Sequence, residues 1–125
     1  MKILVVDDEG IVLLSCRRIL EAEGFEVQAA PSVDEALALL DAPGAPLPSL
    51  LLVDVKMPVH DGMYLMRQVK AKHPQLPIVV MSGYPTDETV ENAAIFGAAT
   101  FIAKPFTPGE LLDTVLSVAR KGNKP

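Results

Sequence analysis

Five side chains suited to chemistry stand directly after short apolar runs of this 125-residue sequence. Asp7 and Asp8 follow the first run, and Asp54 follows the third. Ser82 follows the fourth run and Lys104 follows the fifth. In an open parallel α/β sheet, ligands bind outside the carboxyl ends of the strands. If these runs are such strands, three carboxylates, a hydroxyl and an ammonium group lie in one cleft.

Three clustered carboxylates repel one another unless a proton or a hard cation neutralises them. Mg²⁺ fits this cluster because it takes an octahedral shell of oxygens, keeps several waters and needs only one or two carboxylates; Mn²⁺ is the alternative ion. A carboxylate can also accept a phosphoryl group and form an aspartyl phosphate. Transfer then requires in-line positioning and neutralisation of the equatorial oxygens, which a metal, Lys104 and Ser82 would provide.

The apolar runs alternate with segments of helical period, which predicts a doubly wound α/β fold around a five-stranded parallel sheet. The predicted strands cover residues 2–6, 25–30, 50–53, 78–81 and 100–103. The predicted helices, with their capping residues, cover about residues 9–23, 32–41, 63–72, 86–97 and 107–120. The first and third runs are apolar on both faces, so we expect them at the centre of the sheet. The second run alternates and suits an edge.

Local signals mark the ends of several helices. Ser32 with Glu35, and Thr107 with Glu110, have the spacing of a capping box, in which the hydroxyl and the carboxylate each bind a backbone amide of the other residue. The segment 42–48 contains three prolines and is predicted to be a stiff surface loop.

Composition indicates one globular domain, which we place at residues 2–120, with 121–125 either a tail or the start of a linker. The net charge of −5 argues against nucleic acid as a partner. Cys16 is the only cysteine, lies on an apolar helical face and is expected in the core. No apolar stretch reaches the roughly 20 residues that span a bilayer, so a soluble, cytoplasmic protein without membrane contact is expected. His60 is interpreted as an exposed loop residue.

Four ordered motifs carry a resemblance to a known family. They are ILVVDDE from residue 3, LVDVKMP from residue 52 with Asp61-Gly62 after it, MSGY from residue 81, and FIAKPF from residue 101 after Gly97-Ala98. The set resembles the receiver domains of two-component response regulators, of the CheY-like kind, over about residues 2–120.

The resemblance implies a sheet order of 2-1-3-4-5 flanked by five helices, with Asp54 as the phosphoacceptor. It implies that Asp8, Asp54 and the backbone carbonyl of Lys56 bind the metal ion. Asp7 would help to hold the ion through water.

The resemblance also assigns roles around the phosphoryl group. Ser82 would bind a phosphate oxygen and Lys104 would pair with the phosphate, and a cis Lys104-Pro105 peptide would aim the Lys104 side chain. Phe101 stands where the family often has Tyr, and its ring would turn inward when the Ser82 hydroxyl moves. Output would then be read on the fourth helix, the fifth strand and the last helix.

The implied partners are a sensor histidine kinase or phosphotransfer protein as phosphohistidine donor, and an output protein or effector domain. A dimer formed on phosphorylation also fits the resemblance. The domain would be a signalling module that catalyses only its own phosphorylation and slow dephosphorylation.

Three alternatives belong to other functional classes. An aspartyl-phosphate phosphatase needs a second Asp two residues after the first, where this chain has Lys56. A flavodoxin-like cofactor carrier needs a Ser/Thr/Gly-rich phosphate loop after the first strand, where Asp7-Asp8-Glu9 would repel a flavin phosphate. A protein-binding module that has lost phosphorylation would not need the complete acidic cluster.

Overall fold

Five parallel strands form one sheet in the order β2-β1-β3-β4-β5 in the computed structural model, which describes residues 1–57, 59–83 and 86–122. The strands are β1 (Lys2–Val6), β2 (Glu26–Ala30), β3 (Leu50–Asp54), β4 (Ile78–Ser82) and β5 (Thr100–Ala103). The helices within this described part are α1 (Gly10–Ala22), α2 (Val33–Asp41), α3 (Gly62–Lys72), α4 (Asp87–Ile95) and α5 (Pro108–Gly122). The predicted fold class and strand order are confirmed. Pro58 and Tyr84 of the motifs, and residues 123–125 of the predicted tail, lie outside the described residues.

The central strands are apolar on both faces because helices cover both sides of the sheet. Leu4 and Val6 of β1 pack with residues of α2, α3 and α4. Ile3 and Val5 of the same strand pack with residues of α1 and α5. All four side chains are fully buried, as expected for a central parallel strand. The sheet is therefore held rigidly between two apolar layers, and its carboxyl edge is a fixed platform.

Hydrogen bonds confirm both helix starts that were predicted from the capping-box pattern. Thr107 and Glu110 form the complete box, with the Glu110 amide donating to Thr107 Oγ1 at 3.1 Å and the Thr107 amide donating to Glu110 Oε1 at 3.0 Å. At α2 the Glu35 amide donates to Ser32 Oγ at 3.1 Å, but the Glu35 carboxylate accepts from the Ser32 hydroxyl at 3.4 Å instead of from its amide. The last helix continues to Gly122, two residues beyond the predicted end near residue 120, so the predicted tail begins inside α5.

Cys16 lies on the inner face of α1 and is fully buried, which confirms its predicted place in the core. Burial raises the pKa of its thiol to about 11, and the negative charge of Asp7 adds to that rise while Lys104 opposes it. The thiol is therefore protonated at neutral pH. Among the described residues, none of the helices combines the length and the apolar character that a membrane crossing requires.

Candidate functional site

Adjacent strands bring the predicted site residues to one edge of the sheet. Asp54 is the last residue of β3 and Ser82 the last of β4, while Asp7 and Lys104 directly follow β1 and β5. The register pairs Val6 with Val53, Asp54 with Met81, and Ser82 with Ala103, so the carboxyl ends of the four strands are level. Asp7, Asp54, Ser82 and Lys104 therefore lie at one edge of the sheet, as the order of the apolar runs predicted.

Lys104 is the centre of a buried ionic cluster. Its Nζ donates to Asp7 Oδ2 at 2.6 Å and to Asp54 Oδ2 at 3.1 Å, and it lies 3.6 Å from Glu9 Oε1. The Asp7 side chain is fully buried, and the Asp54 and Lys104 side chains are only 7% and 15% exposed. The Lys104 amide donates to the Ser82 carbonyl at 2.8 Å, and the Lys104-Pro105 peptide is cis, as the resemblance implied. Because Asp7, Asp54 and Lys104 are largely removed from water, their charges are screened less than that of Glu9, whose side chain is 59% exposed.

The two buried carboxylates are held in the same way. Asp7 Oδ1 accepts from the amide of Glu9 at 2.9 Å, and Asp54 Oδ1 accepts from the amide of Lys56 at 3.3 Å. In each case an aspartate binds the backbone two residues on, which is an Asx turn, and presents its other oxygen to Lys104. Both carboxylates therefore point into the same space from different strands.

Burial changes the acid–base properties of the cluster. Desolvation raises the pKa of Asp54 above its ordinary value, and the Asp7 charge adds to this, although the Lys104 ammonium opposes it. For Lys104, burial alone would lower the pKa, but the hydrogen bonds to Asp7 and Asp54 outweigh it and raise the pKa. The ammonium therefore remains charged, and one cation faces more than one buried carboxylate.

Oxygens of Asp7, Glu9 and Asp54 all lie within 4.8 Å of one another, which is close enough to share a metal ion. Carboxylate oxygens are the donors that Mg²⁺ prefers, and three carboxylates against one ammonium leave excess negative charge, so this donor set fits a divalent cation. Glu9 was missed by the sequence analysis. The signal available was its place after Asp7-Asp8: it stands at the N-cap position of α1, where its carboxylate makes no capping bond and lies 3.6 Å from Lys104.

The remaining predicted residues lie around this cluster. Asp8 is exposed and lines a surface depression together with Lys56; it is not one of the three carboxylates whose oxygens lie within 4.8 Å of one another. Ser82 is buried, with 6% of its surface exposed. Phe101 lies on the edge strand β5 and is 38% exposed, so its ring is partly in solvent. His60, interpreted as an exposed loop residue, has a side chain that is 39% exposed, and its ring also stacks on Tyr64 with 4.1 Å between centroids.

Comparison with known proteins agrees with this geometry. The model of the family described as "Response regulator receiver domain" matches residues 3–116. Response regulator MprA of Mycobacterium avium is 36% identical over 97% of this chain and 52% of its own length. Sensor kinase CckA of Brucella abortus is 32% identical over 95% of this chain but only 12% of its own length. The chain likewise spans about a quarter of the NtrC, NtrX and DctD regulators that it matches.

Solved structures share the whole fold. The crystal structure of a CheY-like receiver domain protein from Methanospirillum hungatei superimposes with a TM-score of 0.90 at 30% identity. That likeness covers 97% of this chain and 94% of the other. NtrX from Brucella abortus superimposes equally well at 34% identity, over 97% of this chain and 27% of the other.

Proposed function

Because this chain belongs to the response regulator receiver domain family of two-component systems, we propose that it accepts a phosphoryl group on Asp54 and relays that event to a partner. Members of this family are signalling modules and not conventional enzymes. The observation that carries the proposal is the carboxylate of Asp54, which is buried at the end of a central strand and bonded to Lys104 at 3.1 Å. The proposed donor is a phosphohistidine on a sensor histidine kinase or phosphotransfer protein, met in the cytoplasm.

In the proposed reaction, an oxygen of Asp54 forms a bond to phosphorus while the bond from phosphorus to the donor imidazole nitrogen breaks. The imidazole leaves with the electron pair of that bond and takes up a proton. Asp54 attacks as the carboxylate, and the Lys104 ammonium beside it favours that form. The proposed role of the same ammonium is to neutralise charge on the phosphoryl oxygens, and that of the hydroxyl of buried Ser82, at the end of the next strand, is to donate a hydrogen bond to one of them.

A divalent cation would be held next to Asp54 by the acidic cluster. When bound, Mg²⁺ or Mn²⁺ would neutralise phosphoryl oxygens during transfer. We propose Asp54, Asp8 and the Lys56 carbonyl as direct ligands, with Asp7 acting through water. Glu9 is the competing candidate, because its carboxylate lies in the same oxygen cluster.

The phosphoacceptor assignment is tested by intact-mass measurement. Wild-type protein treated with acetyl phosphate and Mg²⁺ should gain the mass of one phosphoryl group, and excess chelator should prevent the gain. Peptide mapping should place the group on the segment that contains Asp54. Two results would contradict the proposal. One is a phosphoryl group that maps to another segment; the other is a gain in mass that is equally large in excess chelator.

Substitution at Asp8 and Glu9 distinguishes the two metal candidates. Glu9 lies 3.6 Å from Lys104 and is partly neutralised by it, whereas Asp8 is exposed and lines a surface depression that Lys56 also lines. We therefore expect Asp8→Asn to weaken Mg²⁺ binding about tenfold or more, and Glu9→Gln to weaken it less, as judged from typical losses at metal sites. Titration calorimetry measures both affinities. A larger loss in Glu9→Gln would transfer the ligand role to Glu9.

We further propose that phosphorylation is read through Ser82 and Phe101. Phosphate at Asp54 adds acceptor oxygens that draw the Ser82 hydroxyl inward. That movement vacates space beside β4, into which the partly exposed ring of Phe101 can turn. The domain then has two packing arrangements, one with the Phe101 ring partly in solvent and one with the ring turned inward. The phosphoryl group favours the inward arrangement because it makes more contacts there. The face formed by α4, β5 and α5 would change shape for an output protein, an effector domain or a second copy of the domain.

Chemical-shift mapping with beryllofluoride, a stand-in for the phosphoryl group, tests this route. We expect changes to spread from Asp54 through Ser82 to Phe101, and into α4 and α5. Asp54→Asn, treated in the same way, provides the control because it should lose these changes. Chemical-shift changes limited to the immediate surroundings of Asp54, without changes at Phe101, α4 or α5, would refute signalling through Ser82 and Phe101.

A further inference from the structure

Gly62 makes an unusually close approach to the main chain of Asp54. A Cβ atom placed on Gly62 would lie 2.2 Å from the Asp54 carbonyl oxygen and 3.0 Å from both the Asp54 carbonyl carbon and Val55 Cα. Such a separation from a backbone oxygen is not sterically possible, so one side must move. The Gly62 amide also donates to the Val55 carbonyl at 2.9 Å. The first residue of α3 therefore rests directly on the end of β3.

We propose that Gly62 is a positioning residue for the phosphoacceptor: its lack of a side chain lets α3 begin against the Asp54 peptide and so sets the direction of the Asp54 carboxylate. This inference rests on the proposed role of Asp54. It concerns the residue through which α3 acts on that carboxylate.

The strand side of this contact has little freedom to yield. Asp54 pairs with Met81 of β4, and the Val55 amide donates to the Met81 carbonyl at 3.0 Å. The loop side is also constrained, since Val59 adopts a φ of 69°, which is strained for a β-branched residue. Because neither side can absorb a 2.2 Å contact alone, a side chain at position 62 would shift the start of α3 and would also push on the Asp54 peptide.

Displacement of this peptide would misalign the carboxylate, because its partners are anchored elsewhere. Asp54 Oδ1 accepts from the Lys56 amide in the same loop, but Oδ2 accepts from Lys104, which follows β5. Asp7, whose carboxylate also accepts a hydrogen bond from Lys104, follows β1. A shift of about 1 Å at a reacting group can lower a rate about 100-fold. The contact at Gly62 is therefore placed to control the reaction geometry.

Gly10 provides a matched control. It is also the first residue of a helix that begins just after a strand of this edge, but within the described structure a Cβ there would meet no heavy atom within 4 Å apart from its chain neighbours and the backbone of its own helix. Val69→Ala provides a second control, since Val69 is a buried residue of α3 and its truncation destabilises the helix without adding an atom near Asp54.

The experiment compares wild type, Gly62→Ala, Gly10→Ala and Val69→Ala at a temperature where each is folded by circular dichroism. The readouts are the phosphorylation rate with acetyl phosphate and Mg²⁺, and the NMR signals of the Asp54 carboxyl carbon and Lys104 Nζ before any donor is added. We expect Gly62→Ala to lose about 100-fold in rate and to shift both signals. Both controls should keep their rates and their signals.

Two results would overturn the inference. One is a Gly62→Ala protein with wild-type rate and unshifted signals; the other is a Val69→Ala protein that loses as much rate as Gly62→Ala, which would indicate a general effect of stability. Should Gly62→Ala not fold, Val59→Gly/Gly62→Ala, in which the loop strain is relieved, carries the same expectations. If wild type takes up no phosphoryl group, the proposed function fails, and the two NMR signals still decide whether Gly62 positions Asp54.

Discussion

Asp54→Asn is expected to abolish the phosphoryl adduct and, at the same time, to make the metal-free protein harder to unfold. The amide is not a phosphoryl acceptor, so the gain in mass should disappear. Stability should rise because burial disfavours the ionised carboxylate, which is why the pKa of Asp54 is raised. Asparagine keeps an oxygen that can accept from Lys104. We expect a gain of about 1 kcal/mol in the free energy of unfolding, or about 4 °C in the melting temperature of a domain of this size.

The pH dependence of this gain in stability follows from the direction in which the pKa of Asp54 is shifted. Because the pKa of Asp54 is higher in the folded protein, proton binding stabilises the fold; this contribution is complete below about pH 4 and is lost as pH rises through the raised pKa. The advantage of Asp54→Asn should therefore be small at pH 4, grow with pH and then level off. Denaturant unfolding in chelator at several pH values measures it, with exposed Asp113→Asn as the control. A variant less stable than wild type at pH 7 would mean that the carboxylate serves the fold.

Lys104→Met should have the largest effect on stability. Lys104 is hydrogen bonded to two buried carboxylates, and Asp7 is completely removed from solvent. Removal of the ammonium leaves buried negative charges without their cation, which typically destabilises a protein by about 3 kcal/mol or more. In a domain of this size that corresponds to a fall of about 10 °C in melting temperature. Methionine retains most of the side-chain volume, so lost packing contributes little.

Lys72→Met is the matched control for Lys104→Met. Its ammonium binds Asp41 at 3.1 Å, the same distance as Lys104 to Asp54, but both partners are about half exposed. Exposed ion pairs contribute little to stability, so Lys72→Met should lower the free energy of unfolding by less than about 1 kcal/mol. The double variant Lys104→Met/Asp7→Asn should recover more than half of the stability that Lys104→Met loses, because it also removes one of the buried negative charges. Equal losses in Lys104→Met and Lys72→Met would show that the buried cluster does not depend on its cation.

The strands and helices could be predicted from the sequence because each depends on a local pattern of residues. Residues 3–6 of β1 and 50–53 of β3 are apolar at every position, which is typical of a strand covered on both faces. The Thr107 and Glu110 pair marks the start of α5 by its spacing alone. Apolar runs end where polar residues begin, so Asp54 and Ser82 could be placed at strand ends before the strand order was known.

The parts that escaped prediction depend on contacts between distant segments. Glu9 joins the oxygen cluster only because α1 begins at Gly10 and leaves Glu9 above the strand end, close to Lys104. The stack of His60 on Tyr64 depends on the path of the loop between β3 and α3, and the left-handed φ of Val59 shows that this path departs from local preference. The sequence Asp61-Gly62 indicated a turn but not the approach of Gly62 to Asp54.

The buried thiol of Cys16 makes this protein its own reporter of local opening. Thiol reagents react with the thiolate, and a pKa of about 11 in a side chain without solvent access suppresses reaction in the closed state. Alkylation of the single cysteine must therefore proceed through molecules in which α1 has parted from the sheet or the whole domain has unfolded. The labelling rate, followed without any engineered probe, thus measures how often Cys16 is exposed, by opening of the helix beside Asp7 or by unfolding of the whole domain.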